Sequence, residues 1–561
     1  MLTALAEGAA ACISRQIVED GPDRGGIVRP DWGIAEPSGS AGFLGLGGVL
    51  YCARHLRPGE TPIGPPDAEL IPALQRAAEY LRRVQRPSGC IDLRDCNYDS
   101  APDTAFAVQA LCPVLELGRR VQGPSTDWTT LITTIAQFVQ QACSGMASGG
   151  FHTPNHRWVM AAAMAWADRL LPNLDVQSTV ASYLAEGYDI DADGAYIERS
   201  AGVYDGICDR SLLILHETLG DEAAYRAARA NLRLDLDLLH PDGSIETGLS
   251  RRQDRFGRAV PASLALPLLM AHRTEPDPAF EGAAALIWRR TKGDAAGLAW
   301  HLLRHDLDGF GAVAAAKLPP VTHRYGCSGL WRSRRGEISA TAYTGSTRLF
   351  SLVYGEAEIA AVRISQSYFG VGQFVADCST EVAGGIVLRS EGRREVHRPG
   401  YELPLGRPVE AETWYERRGE RAWRELPRPV SELDIIEMDD GFELVYRTVG
   451  GMDDVTAQIA LDFPAGGIWE TADTALRPEA GQALFLKQGY ARMRYGVRAI
   501  VIGPGADAHR MWAMRDAELA PDYVRILLTF VTPVQHRLRI RTVSGPDVER
   551  DWCSEPAGPE D

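Results

Sequence analysis

The sequence predicts an α+β chain of two large domains, stacked helical hairpins first and an antiparallel β-sandwich second. Three observations carry this. The 561 residues exceed one hydrophobic core, which stops growing at about 250–300 residues. Apolar residues recur at helical spacing through roughly the first 310 positions. Beyond them come short alternating runs rich in β-branched residues. The expected division is a helical domain over 1–311, a linker over 312–322, a sandwich over 323–545 and a mobile tail over 546–561.

Amphipathic helices are expected over 41–56, 68–86, 104–119, 126–143, 155–171, 203–219, 221–239, 261–272 and 279–304. In 68–86, Leu70, Leu74, Ala77, Ala78 and Leu81 follow helical spacing, and 221–239 opens on acidic residues that suit a helix N-terminus. Glycine turns followed by an apolar or aromatic residue punctuate the region at Ser88, Ser148, Asp193, Asp242 and Asp308. A turn, a short extended piece and a helix, repeated, is the signature of stacked hairpins that bury a core only against their neighbours. The pattern alone leaves a closed toroid and an open solenoid equally available. Residues 312–320 read as a linker. Strands follow over 338–344, 348–355, 357–365, 384–390, 440–449, 454–463, 523–532 and 536–543.

Composition narrows the function. A net charge of −16 argues against nucleic-acid binding, yet leaves room for an anionic sugar if basic residues concentrate in one cleft. No apolar run is long enough to span a membrane. The N-terminus makes a poor signal peptide, because Glu7 interrupts its apolar stretch and no basic residue precedes it; a cytoplasmic location is expected, unless a leader has been removed. The ten cysteines are scattered singly and form no CxxC pair, which fits free thiols in a reducing compartment. No GxGxxG, P-loop or metal-ligand spacing occurs, so no cofactor and no metal are expected.

Three segments can carry chemistry. In TPNHRW, Thr153 suits an N-cap and Pro154 the first helical position, placing Asn155, His156 and Trp158 in the opening turns. Free N–H donors there suit a bound carboxylate. In 193–215, Tyr204 opens a helix after a Ser-Ala-Gly loop, with Tyr196 as the rival phenol and Glu198 between them. In SRRQDR, Arg251 and Arg252 offer fork-shaped recognition of carboxylate or sulfate. Each has an ordinary reading taken alone: capping beside a surface histidine, a tyrosine packed between hairpins, solvated arginines. Together they meet the needs of β-elimination from a 4-linked uronate: a neutralised carboxylate, a base for the C5 proton and an acid for the leaving O4. Asn155, His156 and an arginine serve the first need. Tyr204 or His156 serves the second, and Tyr204 the third.

Asn-His at a helix start, followed some 50 residues on by E-x-S-x-x-x-Tyr, resembles the heparinase II/III-like and alginate-lyase group of polysaccharide lyases. The resemblance is strongest over residues 90–260. It implies an (α/α) toroid followed by an antiparallel β-sandwich, an anionic uronate-containing glycan or oligosaccharide as partner, Asn155 and His156 at the carboxylate, and Tyr204 as acid or as both base and acid. Less strongly, it implies substrate contacts from Asn97 in NYDSAPDTAF and from SRRQDR. The chain departs from the group by lacking a Gly-His-x-His-x-Asp-like segment in the β-domain. His323, at the expected domain junction, and His397 are its nearest substitutes, and RISQSYFGVGQF (363–374) fits either a cleft edge or a core strand. Two other classes compete: a glycoside hydrolase on a toroid, drawing paired carboxylates from Asp95, Asp99, Asp103, Glu198 and Asp205, and a non-catalytic glycan-binding protein. Oligomeric state, the glycan's identity and endo versus exo action are not readable.

Overall fold

A computed structural model describes residues 1–57, 63–307, 317–393 and 397–545. The turn expected at Asp308, the first five residues of the linker (312–316) and the tail over 546–561 lie outside the described residues. The chain divides into two compact units, the first comprising Met1–Leu239 and Gly243–Leu318 and the second His240–Asp242 and Pro319–Asp561.

Twelve helices form the described part of the first unit: α1 (Leu2–Ile13), α2 (Pro37–Leu56), α3 (Asp67–Val84), α4 (Ala101–Gly118), α5 (Thr126–Ser148), α6 (Pro154–Leu170), α7 (Gln177–Ala185), α8 (Asp205–Leu219), α9 (Glu222–Leu238), α10 (Ala265–Thr274), α11 (Pro278–Thr291) and α12 (Ala295–Arg304). The even-numbered helices pack in succession, α2 on α4, α4 on α6, α6 on α8, α8 on α10 and α10 on α12. Helix α12 then returns to α2. The repeat therefore closes as an α/α toroid.

Burial follows that arrangement. The inner helices are covered nearly all round, as in α6, where every residue from Trp158 to Ala167 is buried. Outer helices bury one face: in α3, Leu70, Leu74, Ala77, Ala78 and Leu81 point inward as their spacing predicts. Small residues set the inner spacing. A Cβ on Gly45 of α2 would lie 2.7 Å from the Ala110 carbonyl of α4, so the two helices touch backbone to backbone.

The turn repeat has a common geometry. Gly89 and Gly194 take φ of +105° and +89°. A Cβ at either would run into a carbonyl of the next outer helix, Gln141 of α5 or Ala230 of α9. Gly25 does the same against Arg76 of α3 at φ +89°, an earlier copy that the DG and SG pattern did not reveal. Gly149 departs from the series with φ −84°.

Three helix expectations needed correction. Helix α1 was read only as a weak leader, although its Leu5, Ala6 and Ala9 are buried. Helix α7 was missed because it is short and rich in Ser, Thr and Val, which are weak helix formers. The single helix expected over 279–304 is two, because Lys292 and Asp294 both adopt left-handed φ, 54° and 50°, around Gly293.

The second unit is a sandwich of two sheets. One runs, in hydrogen-bonded order, Ala483–Phe485, Tyr523–Val531, Thr456–Pro464, Ala357–Gln366, Phe350–Tyr354, Ile338–Tyr343, Leu330–Arg335, Val321–Tyr325. The other runs Cys378–Val382, Gly385–Ser390, Ser431–Met438, Gly441–Thr448, Gln535–Ser544, Arg498–Gly503, Ala491–Tyr495, Ile468–Glu470, Ala475–Leu476. Pairing is antiparallel except between Ala483–Phe485 and Tyr523–Val531. Both sheets feed one apolar core that includes Phe350, Leu433, Phe442, Ile459, Ile526 and Ile540. The first strand starts at Val321, inside the stretch expected as linker, because Val321 is buried and pairs with Arg334. Ile364 and Phe374 belong to the core, so 363–374 is core structure rather than a cleft edge.

Candidate active site

The start of α6 is built by Thr153 at the N-cap position and Pro154 after it. Thr153 makes no side-chain cap to the backbone; its Oγ1 instead accepts from Asn155 Nδ2 at 3.2 Å. Asn155 is buried, and the same Nδ2 donates to Glu198 Oε2 at 2.7 Å. Glu198, itself buried, pairs through its other oxygen with Arg252 Nη1 at 3.2 Å. The Arg252 guanidinium lies over the Tyr204 ring, 4.8 Å from its centroid. Its Nη2 donates to the Tyr204 hydroxyl at 3.4 Å, and Gln253 Nε2 donates to the same oxygen at 3.0 Å. One continuous polar chain thus joins Asn155, Glu198, Arg252 and Tyr204.

Two loops hold that chain in place. Asp254 accepts from Ser200 Oγ at 3.0 Å, from the Gly202 amide at 3.1 Å and from Ser250 Oγ at 2.5 Å. The Arg251 amide donates to the Glu198 carbonyl at 3.0 Å. Arg199 sits at φ 52°, uncommon outside glycine, and is tied by an ion pair to Asp191 at 2.8 Å. Tyr204 is therefore the N-cap residue of α8 on a loop pinned from both sides.

His156 adjoins this chain. Burial lowers its pKa to about 4, with His152 and Arg252 pushing the same way and Asp103 opposing. The imidazole is therefore neutral near pH 7 and can accept a proton. Its Nδ1 is shielded and has no hydrogen-bond partner among the described residues. Its ring meets His152 edge-on at 4.7 Å and Phe106 at 6.2 Å. Asn97 donates to Asp103 at 3.1 Å.

The structure brings Asn155, His156, Tyr204, Glu198 and Arg252 together, with Asn97 adjoining through Asp103. Three of the residues offered as substrate contacts, Glu198, Arg252 and Trp158, have protein partners. Glu198 accepts from Asn155 through Oε2 and forms an ion pair with Arg252 through Oε1, which has no hydrogen-bond partner among the described residues. Trp158 is buried and donates from Nε1 to Asp189 at 3.1 Å. Arg252 is likewise engaged with Glu198 and Tyr204, whereas Arg251 is exposed and bonds the Ile197 carbonyl at 3.2 Å. The rival phenol Tyr196 is fully buried and donates to Asp209 at 2.7 Å. His323 lies on the strand Val321–Tyr325 of the second unit, exposed and edge-on to Tyr325 at 4.6 Å; His397, also of the second unit, is exposed. His152 and Gln253 were not singled out. Both had a signal: His152 stands four residues before His156, and Gln253 directly follows Arg252. Among the described residues no helix is long and apolar enough to cross a membrane.

No protein-family model and no curated protein sequence matches the chain. Solved structures do. Heparinase III superposes with a TM-score of 0.53 at 12% identity, over 98% of this chain and 86% of that one. A Paenibacillus xanthan lyase gives 0.53 at 11% identity, over 98% of this chain and 57% of that one, so this chain spans little more than half its length. The chondroitin AC lyase of Streptomyces coelicolor A3, in complex with chondroitin sulphate, gives 0.50 at 14%, over 97% and 79%. At these identities the likeness is one of fold. The chain has the fold of the polysaccharide lyases that join an α/α toroid to a β-sheet domain.

Proposed function

We propose that this chain, which shares that fold, is a polysaccharide lyase cleaving a 4-linked uronate glycan by β-elimination. The observation that carries the proposal is the polar chain from Asn155 through Glu198 and Arg252 to Tyr204, with a neutral His156 beside it. The substrate class also draws support from the neighbours, whose names are heparinase III, xanthan lyase and chondroitin AC lyase.

In this reading the uronate carboxylate docks at the helix start of α6 and replaces Thr153 Oγ1 as acceptor of one Asn155 Nδ2 hydrogen, stabilising the charge that builds on it as the C5–H bond breaks. His156 accepts the C5 proton. The electron pair forms the C4–C5 double bond, the C4–O4 bond breaks, and Tyr204 gives its proton to the departing O4. Because Gln253 and Arg252 both donate to the phenol oxygen, the phenol's own proton is free to point at substrate.

A hydrolase finds less support. Of the carboxylates available to it, Glu198 is committed, Asp205 is buried, and Asp103 accepts from Asn97 and from Ser100 Oγ at 2.5 Å. The test is ultraviolet absorbance during incubation with hyaluronan, chondroitin, heparin-type glycans, alginate and glucuronan. A rise marks the conjugated unsaturated uronate and identifies the sugar. New reducing ends without a rise would sink the lyase reading in favour of hydrolysis. Asn155→Ala should lower kcat more than it raises KM, because the charge it meets grows in the transition state.

A further inference from the structure

A second cavity, of about 320 Å³, opens in the first unit among α2, α4, α8 and the start of α12. None of Asn155, His156, Glu198, Tyr204 or Arg252 lines it. Its walls are mostly glycine, alanine and leucine, and three charged residues reach it: Arg210, Lys292 and Asp294.

Arg210 is the informative one. A guanidinium has five N–H donors. Among the described residues that of Arg210 makes one hydrogen bond, from Nη2 to the Gln109 carbonyl at 3.1 Å. Its Nε is shielded from solvent with no acceptor, a state that is costly to leave unmet. It forms no ion pair within 4 Å among the described residues, although its charge favours the ionised Asp294 carboxyl against burial. Lys292 is exposed on the cavity lining, packed over Trp288 at 5.1 Å and also without a carboxylate partner. Asp294 supplies the opposite character: one oxygen accepts from the Gly297 amide at 3.2 Å. The volume sits at the low end of small-molecule pockets, roughly 300–1,000 Å³, which suits one sugar ring and not a polymer.

We propose that this cavity binds a small hydroxy-carboxylate, its carboxylate on Arg210 and Lys292 and a hydroxyl on Asp294. Choosing a free uronate monosaccharide as the probe rests on the proposed function; the site itself does not.

Calorimetric titration of the full chain with glucuronate, glucose and acetate tests it. Glucuronate should bind at one site, with glucose and acetate each at least tenfold weaker. Arg210→Met should weaken glucuronate at least tenfold. Gly42→Leu should do the same by filling the cavity, since a Cβ on Gly42 meets no atom within 4 Å and the helix packing is undisturbed. Asn155→Ala should leave the binding intact. Binding unchanged in both Arg210→Met and Gly42→Leu, binding lost in Asn155→Ala, equal affinity for glucose, or no binding at millimolar glucuronate would each overturn the site. A chain that eliminates no glycan yet binds glucuronate through Arg210 would refute the lyase reading and keep this one.

Discussion

Tyr204 and Asp205 are neighbours in sequence, but the groups around them follow opposite electrostatic rules. Around Tyr204 every charge meets a counter-charge or a donor: Glu198 has Arg252 and Asn155, and Asp254 has three donors. Around Asp205 three carboxyls from two helices, Asp205, Asp209 and Asp235, are buried. Among the described residues none of them pairs with a cation. Tyr196 donates to Asp209 and the Ser200 amide to Asp205, while both oxygens of Asp235 have no partner. Burial drives all three pKa values up, Asp205 to about 7; the charges of Asp254 and Glu198 raise Asp205 further, Asp205 raises Asp209, and both raise Asp235. The first cluster meets charge with counter-charge. The unpaired one exists by keeping its protons.

The comparison can be broken at several points. The largest effect is expected from Tyr204→Phe, which removes the proton donor and should cut turnover by about 10²–10⁴-fold. Glycan affinity should stay near wild type, as read by product absorbance beside a binding titration. Normal turnover in this variant would end the assignment of the acid. Next comes Glu198→Gln, which keeps the shape but frees Arg252 from its counter-charge; kcat should fall on the order of 10- to 100-fold as Tyr204 loses its fixed position.

The unpaired cluster makes a pH prediction. The folded state holds protons that the unfolded chain releases near pH ~3.9. It therefore binds more protons above that point, and stability should fall as pH rises, continuing through about 7 for Asp205. Burial lowers the pKa of His156, His301 and His305, which works the opposite way below about pH 6.5, so melting temperatures should decline from pH 7 to 9, and Asp235→Asn, which mimics the protonated acid, should flatten the slope. A melting temperature that rises with pH would show the carboxyls to be charged in the fold. The smallest effect belongs to Arg251→Ala. An exposed arginine bonded to one carbonyl should shift stability by less than about 0.5 kcal/mol, with KM carrying any change in activity.

Much of the architecture was legible because hairpin repeats write themselves into periodicity and turns. Leu70, Leu74, Leu81 and the Gly89, Gly194 and Gly243 turns gave the first unit its plan, and Thr153-Pro154 marked the start of α6. Ring closure was not legible, since nothing local tells α12 that it meets α2. The site was legible where function residues share a segment, as with Asn155 and His156. The tie between Glu198 and Arg252 joins distant loops and has no spacing to read. Trp158, on the same helical face as Asn155, is tied instead to Asp189, 31 residues on, a partner that no spacing reveals.

The closed ring has a consequence for how the chain folds. Each hairpin forms from neighbours in sequence, but the contact of α12 with α2 spans nearly the whole first unit. Loop closure grows costlier by only about 0.6 kcal/mol per doubling of length, yet non-local pairing slows folding steeply. The hairpins should assemble first and the α2–α12 seam latch last. Until it does, the face of α2 that meets α12 stands open, and the α12 of a second chain fits it as well as its own, a route to swapped dimers at high concentration.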